Sequence, residues 1–441
     1  MDRLERTVDI ARAINLFNIG ELKDFQFMKK VCDYFDSIKG KPLLESDKKL
    51  LIHLANKSGI PQYYDMLYQF NSELDYSIEN EELNVQTLSS LLYESTLFSS
   101  TSKLHKYQKI ILDRFEANEI NRFFLSASTS FGKTYIVYEI INKMKYDNVV
   151  LIFPTIALIS ENLEKILSEN PEYEYFRKYY KIHTLSEIVE FGQRNLFIYT
   201  PERFLSFLEK NTNKIRFDFA FVDEVYKIDN EYIIDEETKE NERDTAYRLA
   251  VFYSLKKNID VLLAGPYVEF SRRDGNNYNA SFDKFLELNK IELIDFNQYE
   301  IVDKTFDEIV TRKEVQIDEN LSFNFFKSGK TNRLIESVTT ISQLKQNVIV
   351  YCSERGKRSG VEKYAKSLID SENFNSHNIE KYSDVITRII SNYPNDWIVV
   401  KALNCGIGIH HGLIPKYIQK EIVQQFNAGH LHTLLSTTTI T

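Results

Sequence analysis

The stretch RFFLSASTSFGKTYIVYEIINKM, residues 122–144, decides the fold. Phe123 to Leu125 read as an apolar strand, and a loop of small residues follows. Then comes a helix with Ile136, Val137, Ile140, Ile141 and Met144 on one face. A strand, a small-residue loop and a helix N-terminus together form a cradle of backbone N–H groups for an anionic phosphate. In that reading Ser128, Thr129, Ser130, Phe131 and Gly132 line the phosphates. Lys133 reaches the β- and γ-phosphates, and the Thr134 hydroxyl ligates Mg²⁺. Ala127 stands where the common GxxxxGK[ST] pattern has glycine, and a bulky Phe131 precedes Gly132. Gly132-Lys133-Thr134 alone is a short match, so a second element has to support it.

That element is FDFAFVDEVY, residues 217–226, an apolar strand ending in Asp223-Glu224. A carboxylate at the C-terminal end of a parallel strand faces the ligand crevice. Asp223 is placed to hold Mg²⁺, and Glu224 to orient and deprotonate an attacking water. Loop and acids together argue for a nucleoside-triphosphate hydrolase.

Between and beyond them, short apolar runs alternate with amphipathic segments. NVVLIFP, NLFIYT and IDVLLAG read as further strands, and TIALISENLEKILSEN as a crossover helix. Continuous apolar runs separated by helices predict a parallel sheet buried on both faces. A second set follows with QNVIVYCSE, NDWIVVKAL and HTLLSTT. The organisation expected is an N-terminal helical domain over 1–97, an α/β domain over 98–290, a polar linker over 291–330 and an incomplete second α/β domain over 331–441. The acidic run from Asp229 to Asp244 reads as a solvated loop or helix start.

Bulk properties narrow the class. Hydrophobic residues make up 43% and charged residues 27%, as in globular domains. No run of 18 apolar residues occurs, which excludes a membrane-spanning helix. The N-terminus lacks the apolar core of a signal peptide. Cys32, Cys352 and Cys405 are far apart, which suits a reducing cytoplasm and offers no metal-ligand spacing. His410, His411, His430 and His432 have no cysteine or carboxylate cluster to complete a zinc set. The net charge of -9 does not advertise nucleic-acid binding, although a local groove can still be basic.

The ordered series of motifs resembles superfamily 2 helicases of the DEAD/DEAH type. LHKYQ (104–108) is similar to their adenine-reading segment, with Gln108 as the contact, and ASTSFGKT (127–134) to their alanine-containing phosphate loop. FPTIALISEN (153–162), TPER (200–203), DEVY (223–226), LLAGPY (262–267) and VIVYCSERGK (348–357) follow in the family order. The stretch from Gly406 resembles the double-histidine region of the exosome-associated and archaeal repair helicases. The resemblance implies RecA-like P-loop NTPase sheets, ATP with Mg²⁺, and movement on a DNA or RNA strand. Tyr226 departs from the family's His or Asp, and Gly265-Pro266 from its Ala-Thr, both at positions that couple hydrolysis to movement.

It further implies backbone contacts to one strand from Pro154, Thr155, Thr200, Arg203, Thr437 and Thr438, with little base specificity. Thr200-Pro201 is equally a plain helix start, and both roles can coexist. The family's arginine-bearing last motif does not occur before Thr441. The expectation is a C-terminally truncated or split enzyme that binds ATP and hydrolyses it feebly alone, since an arginine finger contributes about 10³–10⁵ in rate. Such helicases occur beside nucleases in bacterial defence systems, so a nuclease or other effector is the candidate protein partner. Two rivals remain: a nucleotide-gated nucleic-acid-binding adaptor without unwinding activity, and a duplex translocase that does not separate strands.

Overall fold

The computed structural model describes residues 3–68, 70–71, 85–99, 102–211, 215–225, 242–256, 259–266, 280–299, 314–317, 321–326, 329–344, 346–352, 360–371 and 379–437. The chain divides into two compact units, Met1–Asp303 and Lys304–Thr441.

The first unit is built on a seven-stranded parallel sheet. Its strands are β1 (Arg122–Ser126), β2 (Asn148–Ile152), β3 (Lys181–His183), β4 (Asn195–Tyr199), β5 (Phe219–Val222), β6 (Asp260–Gly265) and β7 (Glu292–Asp295), in the spatial order β3-β4-β2-β5-β6-β1-β7. Alternate residues divide between two cores, as the two-residue period of a strand requires. Leu125, Val149, Leu151, Ile198, Phe221 and Leu262 point to one face. Phe124, Val150, Ile152, Phe197, Val222 and Leu263 point to the other. Every residue of β1, β4, β5 and β6 is buried, which is why the strands read as unbroken apolar runs. The crossover helix after β2 forms as expected over Ile156–Leu167. This is the RecA-like α/β architecture.

Residues 1–97 are expected to form a helical domain. Their described helices share a core with the sheet: Ile10, Phe27, Leu54 and Leu67 belong to the same buried cluster as Leu112, Leu125 and Ile136. The expected linker, 291–330, also carries structure. Glu292–Asp295 pairs with β1 as an edge strand, and β8 (Glu314–Gln316) pairs antiparallel with β9 (Ser322–Asn324). Glu292 and Asp295, at the two ends of the strand and on opposite faces, are exposed while Ile294 is buried, and those exposed ends disguise the strand as polar sequence. Among the described residues no helix is long and apolar enough to cross a membrane.

The second unit holds a parallel sheet of β10 (Val348–Tyr351), β11 (Ile407–His410) and β12 (Thr433–Ser436), ordered β10-β12-β11. IVVKALN, expected as a strand, is the helix Ile398–Asn404. Val399, Val400, Ala402 and Leu403 are buried at helical spacing, and Gly406 turns left-handed (φ 77°) to deliver Ile407 into β11. A short apolar run cannot tell a buried helix from a buried strand. The helix expected near Pro415 spans Lys416–Asn427 and buries Ile418, Ile422 and Phe426.

Gly408 lies inside β11, where a Cβ would come within 2.8 Å of Ile422 Cγ2 and 2.9 Å of Leu434 Cδ1. Gly408→Val should therefore lower the stability of this unit by about 1–3 kcal/mol through overpacking. Urea unfolding with hydrogen exchange read at β11 and β12 checks this, and an unchanged opening free energy there would refute it.

Candidate nucleotide site

The loop after β1 is held at both ends. Ala127 N–H donates to Gly265 O at 3.2 Å, which ties the loop to neighbouring β6. Thr129–Phe131 form one 3₁₀ turn, and Gly132 takes φ 79°, ψ 37° as the N-cap of the helix Lys133–Met144. That left-handed conformation suits glycine because it has no Cβ. Lys133 is buried, and its ammonium donates to the carbonyl oxygens of Ala127 (3.0 Å) and Ser128 (2.8 Å). Ser128 Oγ lies 3.1 Å from Ser130 Oγ.

β5 delivers the acids. Asp223 N–H donates to Ile152 O at 3.0 Å, extending the ladder one residue past the strand. Glu224 then adopts φ 52°, and its N–H donates to Asp223 Oδ1 at 2.9 Å. Only β6 separates β1 from β5, so the two turns open on the same edge. They converge on a cavity of about 310 Å³, lined by Thr129, Gly132, Lys133, Thr134, Asp223, Glu224 and Pro266. An ammonium, a helix N-terminus, a hydroxyl and two carboxylates suit a phosphate chain and a hard, oxygen-seeking cation. Thr134 and Asp223 are the side chains that would hold Mg²⁺, and the donor set fits.

Other expected residues take different places. Phe131 is 1% exposed and belongs to the core: its ring meets His105 edge-on at 4.8 Å and stacks on Phe296 at 5.8 Å. Gln108 sits beneath the loop. Its Nε2 donates to Phe131 O (3.0 Å), and its Oε1 accepts from His105 N–H (3.3 Å). Ser128, Ser130, Phe131 and Gln108 do not line the cavity. Tyr135, Leu158, Glu161, Lys165 and Tyr173 do, and the sequence reading missed them. The i,i+4 pair Glu161–Lys165 was a visible signal of two side chains on one helix face.

His105 was also missed. Its Nδ1 accepts from Gln108 N–H (3.2 Å), so Nε2 carries the proton and donates to Phe131 O (3.2 Å). Burial pushes its pKa from the ordinary 6.5 down to about 4, against the opposing pull of the Phe131 carbonyl.

The expected strand contacts lie at the same carboxyl edge in the first unit. Thr155 caps the helix Ile156–Leu167, accepting from Leu158 N–H at 3.2 Å, and Pro154 is buried beside it. Thr200 caps Pro201–Lys210, accepting from Arg203 N–H at 3.3 Å, and Arg203 Nη1 donates to Thr184 O at 3.2 Å. β2 and β4 are neighbours in register Ile152↔Tyr199, so these two helix N-termini emerge side by side. In the second unit, Thr437 N–H donates to His410 O at 3.2 Å. Burial, with Lys416 and His411 nearby, pushes His410 down to about 4. Tyr226, Tyr267, Thr438, residues 353–357 and the acidic run before Glu242 lie outside the described residues.

A histidine neutral in the folded state and protonated at 6.5 when unfolded contributes stability above that pH. The contribution is lost as pH falls from about 6.5 to about 4, because the unfolded chain binds the proton first. The melting temperature should drop across that window. His105→Asn keeps an oxygen acceptor for Gln108 N–H and should give a shallower slope, with His410 supplying part of the remainder. Identical slopes for both proteins would sink this account.

Residues 101–258 match the family described as "Type III restriction enzyme, res subunit". The chain is also similar to "Anti-bacteriophage protein B" of Escherichia coli (strain K12), with 24% identity over 393 residues. The matched region covers 89% of this chain and 46% of that relative, so the chain spans about half the relative's length. The family match covers the candidate phosphate loop and the acidic pair together, and it gives this part of the chain a helicase-type ATPase likeness.

Proposed function

We propose that this chain is an ATP-dependent motor on nucleic acid, a helicase or translocase acting in antiviral defence. The observation that carries the reading is the convergence of Lys133 and Thr134 with Asp223 and Glu224 on one cavity. ATP and Mg²⁺ are the cofactors. The bound cation would withdraw charge from the phosphate oxygens. Lys133 would exchange its carbonyl partners for the β- and γ-phosphates, and the N–H groups from Gly132 onward would complete the cradle. Asp223, anchored to β2 through its backbone, would hold the cation side. Glu224 would align a water and accept its proton as the γ-phosphate leaves.

The capped N-termini at Thr155 and Thr200 suit contacts to the phosphates of a passing strand, DNA or RNA, without base reading. Thr437 and Thr438 would add to that track. The likeness to an anti-bacteriophage protein supports a defence setting, in which a nuclease or other effector would be the protein partner. Dispersed cysteines fit a cytoplasmic setting. The helices before residue 97 would serve as a docking surface.

The test is nucleotide binding and strand-stimulated phosphate release by the whole chain. Lys133→Ala should lose both. Glu224→Gln should keep ATP binding and lower turnover by about 10²–10⁴. ATP binding with no response of hydrolysis to single or double strands, and with effector recruitment intact in Lys133→Ala, would overturn the motor in favour of an adaptor. Stimulation by duplex alone would point to a translocase that leaves strands paired.

A further inference from the structure

The edge of the seven-stranded sheet opposite the candidate nucleotide site carries a second cavity, of about 810 Å³. Lys109, Lys143, Lys145 and Arg194 line it, with Asp113 and Glu139. Four cations face two lining carboxylates, and with Asp147, which pairs with Arg194, one positive charge remains in excess. Lys145 follows the helix Lys133–Met144, and Arg194 immediately precedes β4, so the wall sits where the chain enters its strands. This cavity shares no lining residue with the first.

The wall is built. Arg194 Nε donates to Asp147 (3.1 Å) and its Nη1 to the Tyr175 hydroxyl (2.7 Å), which fixes the plane of the guanidinium. Lys143 Nζ donates to Leu112 O at 2.7 Å. Lys109 pairs with Asp113 at 3.0 Å. Lys145 is exposed and held by a left-handed backbone (φ 54°) at the helix end. Beside these cations stand aromatic rings in water. Phe98 and Tyr179 both line the cavity and are each 48% exposed, and Tyr175 packs its ring 5.1 Å from that of Tyr179.

Exposed rings recover their lost burial when a flat aromatic group stacks on them, and clustered cations recover theirs from phosphate. A volume in the usual range for small-molecule sites admits both parts of one ligand. We propose that this cavity is a second nucleotide site, binding a nucleoside polyphosphate with its base on Tyr179 and Phe98. The phosphates lie toward Lys145 and Lys109.

Ribose-labelled fluorescent ADP, titrated into the full chain, tests this. The native chain should bind two molecules, and Lys133→Ala one. In the Lys133→Ala background, Tyr179→Ala should weaken ADP about tenfold and leave competition by inorganic pyrophosphate unchanged. Lys145→Glu should weaken both ligands about tenfold. Melting curves check that each variant is folded. No ADP binding in Lys133→Ala, or binding indifferent to Tyr179 and Lys145, would overturn the proposal. So would a homopolymeric single strand that binds these residues where ADP does not. Lys133 alone reports on the first site, so failure there leaves a separate signature.

Discussion

The parallel pairing β5–β6–β1 is the constraint on which the site depends. Each of these strands is followed by a turn that opens on the same edge, because neighbouring strands run in the same direction. The loop after β1 and the acidic pair after β5, about ninety residues apart in sequence, therefore meet with a single strand between them. The register is fixed by the alternation that sends Leu125, Phe221 and Leu262 to one core and Phe124, Val222 and Leu263 to the other. A one-residue slip of β5 would exchange the two faces and displace Asp223 from the cavity. The middle strand holds the arrangement directly, since Gly265 O accepts from Ala127 N–H just where the loop begins.

Beneath the loop, a neutral histidine does what a charge could not. His105 caps the helix Lys106–Arg114, and it also donates to Phe131 O beside the Gln108 amide. Two donors on one carbonyl pull the 3₁₀ turn down onto the helix start. The Phe131 ring fills the space between His105 and Phe296 and removes the histidine from water. The bulky residue before Gly132 is thus a structural anchor for the loop. It leaves the ligand side to Gly132 and Thr129, and the loop holds its shape through packing as well as hydrogen bonds.

Legibility in the sequence followed burial. Strands β1, β2, β4, β5 and β6, closed in on both faces, announced themselves as apolar runs and were read correctly. Shorter or more exposed elements were not: β7, an edge strand exposed at both ends, looked like linker, and Ile398–Asn404 offered too few residues to show its period. For the candidate site, Lys133, Thr134, Asp223 and Glu224 were legible because their chemistry suits phosphate and cation, and they meet in one cavity. His105, Tyr173 and Lys165 were not legible, since their roles come from contacts made only after folding. Gln108 shows the intermediate case: its position was visible, and its engagement with Phe131 O was not.

Backbone strain gives an independent reason to regard Glu224 as functional. Among the described residues, three non-glycine ones have positive φ: Lys145, Glu224 and Lys290. Lys145 and Lys290 directly follow the helices Lys133–Met144 and Ala280–Asn289, where a left-handed residue is an ordinary way to end a helix. Glu224 ends no helix; it follows Asp223 at the close of β5. The conformation costs an L-residue about 1–2 kcal/mol, which glycine would avoid. What holds it is the Asp223 carboxylate accepting from Glu224 N–H, so one acid fixes the backbone of the other. A fold that needed only a turn there would be more stable with glycine. Keeping a carboxylate in a strained position beside Lys133 is expected where the direction of that carboxylate matters to the chemistry.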